Sequence, residues 1–184
     1  MASELYVETL KGLTSGANAN KVIIPSGQTL DITDWSPPAG TVIQTIQGRS
    51  TTNTSINSTG YADTNLSASI TPSSASNKIL IFVTQENYHR VDNSIGFNAQ
   101  YRILRDSTVI ETFTNMEYHR NGLGSFGNSL HRSRHPMYYL DSPSTTSAIT
   151  YKTQASMSTL ADNAELVVNE GGSPGIMILM EIAG

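Results

Sequence analysis

Two stretches of this sequence gather the residue types that do chemistry. NMEYHRNGLGSFGNSLHRSRHP, residues 115–136, holds three of the four histidines, His119, His131 and His135, with Arg120, Arg132 and Arg134. YLDSPSTTSAITYKTQ, residues 139–154, holds Asp141, Ser142 and Ser144 among seven serine and threonine hydroxyls. In the first stretch His131 and His135 stand four apart, a spacing that serves a metal on a helix. Pro136 and the neighbouring serines disfavour a helix, so no metal site is expected. The reading is a long loop, and loops of that length in compact β-domains are functional or held by a partner. His119, Arg120, His131, Arg132, Arg134 and His135 are the candidate surface-contact residues, for intersubunit ion pairs or an anionic target such as a host glycan. His89 and Arg90 join them if the loops share one end of the domain.

In the second stretch a serine nucleophile needs a base within hydrogen-bond reach and a third group holding that base. DSPS carries no glycine-framed elbow of the GxSxG kind, and Asp-Ser-Pro opens turns, its carboxylate bonding backbone amides just beyond. The stretch is expected to be the link between the strands MYYL and AITYKTQASM, with no catalytic residue. No GxGxxG, P-loop or HExxH is present, so no cofactor is expected. A polysaccharide-cleaving rival needs an acid pair, and Asp92, Glu111 and Glu117 are the acids it would have to bring together.

The elements that position these groups follow from pattern. The chain has 184 residues, net charge −4, 14% charged residues and no cysteine. That length suits one domain with an arm. The charge gives no basic footprint for nucleic acid, and without cysteine there is neither a disulfide framework nor a thiolate metal site. MASELYVETLKG has no apolar core of an export signal, and no run is long enough to span a membrane, so neither is expected.

Residues 1–40 read as an extended anchoring arm, interrupted by Pro25, Pro37 and Pro38. A helix over Glu4–Leu13, capped by Ser3, competes with that reading, but Tyr6, Val7 and Thr9 favour strand. Leu5, Tyr6, Val7, Val22, Ile23, Ile24 and Trp35 are its expected anchoring residues. From residue 41 to 184 the pattern is β. LSASI aligns Leu66, Ala68 and Ile70; IGFNAQYRI alternates through Ile95, Phe97, Ala99, Tyr101 and Ile103; AITYKTQASM alternates through Ile149, Tyr151, Thr153, Ala155 and Met157. RDST makes a hairpin turn into VIETF. KILIFVTQ and GIMILMEI are apolar on both faces, which calls for a second cover, either the arm or another subunit, and an oligomer is expected. The expected fold is all-β, a jelly-roll-like β-sandwich behind an extended N-terminal arm.

LYVETLKGLTSGANANKVIIPSGQTLD resembles the N-terminal segments of fibre-like virion proteins of tailed phages, marine and cyanobacterial ones above all. LSASITPSSASNKILIFVTQ, ILRDSTVIETF, YLDSPSTTSAITYKTQAS and ILMEIAG resemble the β-domain that ends many of them. The resemblance implies a trimeric phage structural protein exposed on the virion; with the readings above, it is expected to be non-enzymatic, assembled in the host cytoplasm and held to capsid or tail proteins by its arm. Long fibres have repeats between arm and domain, and this chain has none, so a capsid decoration (cement) protein and a short tail fibre both remain open. A receptor-binding spike contacting host glycans is the alternative, and a free-standing lectin-like module a further one.

Overall fold

The computed structural model describes residues 36–91, 97–119, 129–158 and 164–184, with a bend at Ser15–Gly16 and a turn at Ser26–Gly27. The chain divides into Met1–Ser36 and Pro37–Gly184. The expected anchors Leu5, Tyr6, Val7, Val22, Ile23, Ile24 and Trp35 lie outside the described residues.

The second unit is built from β1 (Val42–Ser50), β2 (Thr54–Ile56), β3 (Ala62–Ile70), β4 (Lys78–Val91), β5 (Phe97–Arg105), β6 (Thr108–His119), β7 (Ser129–Asp141), β8 (Ile149–Met157), β9 (Glu165–Val168) and β10 (Gly175–Ile182). A 3-10 turn at Glu170–Gly172 is the only helical element among the described residues. All pairings are antiparallel. β1-β10-β4-β7 run side by side in one sheet and β3-β8-β5-β6 in the other. With the short strands β2 and β9 set aside, the remaining eight count as 1-8-3-6 facing 2-7-4-5, the winding of a jelly roll. The protein is thus an all-β jelly-roll sandwich.

The short strands extend the first sheet. β10 takes Lys78–Thr84 of β4 and β9 takes Asn87–Arg90, while β2 pairs β9 as β1 pairs β10. The ribbon is interrupted at Asn169, buried and left-handed at φ 59°. Its amide donates to Glu86 (3.0 Å) and its side chain to the Thr52 carbonyl (3.4 Å), so the break is bonded on both sides.

Alternation decides which residues meet between the sheets. Ile79, Ile81 and Val83 of β4, Met177 and Leu179 of β10, and Met137 of β7 face Leu66, Ala68, Ile70, Ala99, Tyr101, Ile103, Ile149, Tyr151, Ala155 and Met157. Each large apolar side chain so buried contributes roughly 1.5–3 kcal/mol. The three period-two readings of the sequence therefore hold for every residue in them whose burial the structure describes. The hairpin turn holds as well: Asp106 sits at φ 54°, its amide donates to the Thr150 carbonyl, and its carboxylate accepts from the Thr150 amide at 3.0 Å.

The core turns polar towards one end. Gln85, Thr64 and Thr153 form a closed triangle, with Thr153 Oγ1 donating to Gln85 Oε1 (2.8 Å) and Gln85 Nε2 to Thr64 Oγ1 (3.1 Å). Beyond it the buried Tyr101 hydroxyl donates to Asn87 Oδ1.

Candidate functional site

The 115–136 segment is not a loop. β6 continues to His119 and β7 begins at Ser129, leaving only 120–128 between them, outside the described residues. β7 pairs β4 along its whole length, from Ile79↔Asp141 to Val91↔Ser129. HRSRH is therefore strand, and its two residue types separate by face. Arg120 lies outside the described residues, and His119 ends β6.

Arg132 and Arg134 point outward. Arg132 pairs with Glu86 (3.2 Å) and Glu170, and lies over the Tyr88 ring. Arg134 donates to Ser173 Oγ (2.8 Å) and the Pro174 carbonyl (3.0 Å), with Glu86 at 3.8 Å. Two cations and two carboxylates thus match locally, and such exposed pairs contribute at most about 1 kcal/mol each.

His131, Ser133 and His135 point inward, where Glu117 of β6 meets them from the opposite sheet. His131 Nδ1 lies 2.8 Å from Glu117 Oε1; His135 Nε2 and His89 Nε2 lie 3.1 and 2.6 Å from Oε2; and Ser133 Oγ donates to Oε2. His89 is opposite His131 in the β4–β7 register. Burial pushes the Glu117 carboxyl up, but hydrogen bonds from His135, His89 and Ser133 outweigh it and hold the group far below the usual carboxylate range. For His89 burial wins over the Glu117 contact, and the imidazole sits below its ordinary value of 6.5. Sequence reading missed this set because its members come from three strands. The signal was there in retrospect, in histidines at 131 and 135 that a strand places on one face. No group of three or more His, Cys, Asp or Glu among the described residues is arranged to hold a metal ion.

The acids of the hydrolase reading are not shown together. Asp92 is outside the described residues. Glu111 is six residues from Glu117 on the same strand, and its carboxylate accepts from the Thr112 amide.

The stretch from Tyr139 to Gln154 does link two strands, β7 ending at Asp141 and β8 starting at Ile149. The expected role of Asp141 needs correction. Its carboxylate does not cap its own turn. It accepts both from Arg105 Nη1 (3.1 and 3.0 Å) and from the buried Tyr151 hydroxyl (2.7 Å), tying the two sheets. Burial and that carboxylate push the Tyr151 phenol well above its usual range. Thr145 Oγ1 meanwhile accepts the Ser147 amide at 3.0 Å, a hydroxyl satisfying loop backbone as expected. Tyr151→Phe is expected to cost about 1–2 kcal/mol, because Asp141 loses a buried donor while the ring still fills its place; urea unfolding measures it.

The outer face of the first sheet is the other unusual surface. The register puts Ile176, Ile178, Met180 and Ile182 of β10 beside Leu80 and Phe82 of β4, and these beside Leu140, Tyr138 and Pro136 of β7. Tyr138 is 69% and Leu140 49% exposed. Phe82, Thr84, Pro136, Ile176 and Ile178 line a shallow groove of about 210 Å³ there. Thr45, Gln47 and Arg49 of β1 border the patch on one side. The two strands read as apolar on both faces thus have one face in the core and the other at the surface of the chain.

No protein-family model matches this sequence, and no curated protein does. Among solved structures, that of infectious bursal disease virus, Gx strain, aligns with TM-score 0.37 and 14% identity over 84% of this chain and 43% of that chain. A T13 particle of the same virus gives 0.38 and 14%, over 88% and 40%. Dimeric latent PorU from Porphyromonas gingivalis gives 0.33 and 10%, over 85% and 14%. The chain spans less than half the length of each, and at these scores no functional residue transfers.

Proposed function

We propose that this protein is a non-enzymatic structural subunit on the exterior of a tailed-phage virion, a trimer whose copies pack through the outer face of the β1-β10-β4-β7 sheet. The observation that carries the assembly is the apolar row across β10, β4 and β7. Monomeric proteins seldom expose a contiguous apolar patch of more than a few hundred Å². The resemblance of the sequence to phage fibre-like proteins supports the virion setting, and residues 1–40 are its anchor, adding strands to the edge of a partner's sheet. Decoration of the head fits a chain with no shaft repeats between residue 40 and β1. The glycan-binding alternative loses its main support, since Arg132 and Arg134 already answer Glu86 and Glu170.

Sedimentation velocity tests the assembly. The chain is expected to run as a trimer, and Phe82→Glu with Tyr138→Glu as a monomer of unchanged circular dichroism. A wild-type monomer at every concentration tried ends the assembly reading. Gold-labelled antibody on intact particles tests the location: label over the head means decoration, label on the tail means a fibre, and particles without label rule out the virion role.

A further inference from the structure

The Glu117 cluster has a position that the proposed function does not use. β6 is the last strand of its sheet, and β7 borders the other with no partner beyond it among the described residues. The sandwich is open along this side, and Glu117 crosses it to reach β4 and β7. The cluster is also graded in depth. The His131 side chain is 58% exposed, whereas that of His89 is 3% exposed, with Glu117 bonded to both. Protons therefore have a route from solvent to the innermost ring.

We propose that His89, His131 and His135 around Glu117 form a proton-operated clasp, which joins the two sheets at neutral pH and releases the β6–β7 edge on acidification. One carboxylate balances one imidazolium. A further proton places like charges side by side in a partly dry site, where their repulsion is weakly screened. From β5 the facing titratable group is Tyr101, a phenol held protonated by burial and by Glu117. β4 presents neutral Asn87 and Gln85, β9 presents Leu166 opposite His89 in register, and β8 presents Met157. Glu86, Arg90, Arg132, Arg134 and Glu165 belong to the other face of the same sheet.

The sign is consistent for both shifted groups. A histidine held below its ordinary value keeps the fold more stable when neutral, so stability is lost as pH falls below about 6.5. A depressed glutamate contributes stability above its ordinary value and loses it as pH falls further. Acid therefore weakens the clasp from His89 first.

Hydrogen exchange by mass spectrometry, corrected for intrinsic rates, tests this on the full chain at about pH 7.5 and about pH 5, either side of the ordinary imidazole value. Peptides of β6 and β7 are expected to lose protection at the lower pH, while β3 and β8 keep theirs. His89→Gln retains a donor for Glu117 but cannot titrate, and is expected to abolish that difference. Equal acceleration in wild type and His89→Gln overturns the clasp, as does no acceleration in wild type. If His89→Gln does not fold, side-chain NMR of wild-type histidines decides: His89 titrating together with the loss of protection supports the clasp, and His89 titrating with protection intact refutes it.

Discussion

Glu181→Leu is expected to destabilise the protein by about 3 kcal/mol, although leucine matches the apolar sequence around it. Glu181 faces inward from β10 and is fully buried. Its carboxylate accepts Asn77 Nδ2 (2.6 Å), the Ser73 amide (2.7 Å), Ser73 Oγ (2.8 Å) and Gln44 Nε2 (2.5 Å). Leucine leaves these donors without an acceptor; each buried one costs about 1–3 kcal/mol, and Ser73 and Gln44 recover part of that from water. Asn77 is buried and does not. The same bonds set a pH dependence. Burial pushes the Glu181 carboxyl up, but Asn77, Gln44 and Ser73 outweigh it and hold the group below its ordinary 4.5. A depressed carboxylate stabilises above its ordinary value and stops doing so as pH falls through the folded one. Urea unfolding at neutral and at acidic pH measures both effects: the gap between wild type and Glu181→Leu is expected to be wide at neutral pH and to narrow in acid. A midpoint equal to wild type at neutral pH contradicts the account.

Gly48→Ala is expected to cost about 3 kcal/mol, at the upper end of what overpacking does. Gly48 faces inward from β1, close against β3 of the other sheet. A Cβ there would overlap the Ser67 carbonyl and sit 2.9 Å from Ala68 Cβ. The obstacle is β3 backbone, which has no rotamer to change, so the sheets themselves must part. For a chain this size the loss corresponds to a drop in Tm of roughly 6–12 °C. Gly60 is the control: its added Cβ would lie 3.8 Å from its nearest neighbour, Ser58 Oγ, and Gly60→Ala is expected to leave Tm within about 2 °C of wild type. Equal melting of the two variants removes the close-approach argument.

Much of the fold was legible because hydrophobic alternation reports which side a strand buries. β3, β5 and β8 alternate cleanly, and Leu66, Ala68, Ile70, Ala99, Tyr101, Ile103, Ile149, Tyr151, Thr153, Ala155 and Met157 are all buried as assigned. The same signal fails where a strand is polar on both faces. SLHRSRHP is as regular as IGFNAQYRI, but its inward row is His131, Ser133 and His135, so it read as a loop. It fails too where a charge is buried: GIMILMEI hides Glu181 in its inward row. Neither Asp141–Tyr151 nor Glu117 with its histidines could be drawn from spacing, because partners meet across sheets and only the winding brings them together.

The winding also fixes how the domain bears load. The Gly40 amide donates to the Ala183 carbonyl (2.8 Å), the Ala183 amide to the Thr41 carbonyl (2.9 Å), and Val42 pairs Ile182 at the start of the β1–β10 ladder. Tension between residues 40 and 183 therefore meets that ladder at its end and peels it one hydrogen bond at a time, as a zip opens. Tension that enters at residue 40 and leaves through β10 at Gly175, the opposite end of the ladder, is directed along the strands, and the β1–β10 bonds resist it together in shear. The same sandwich is compliant along one axis of pull and stiff along the other.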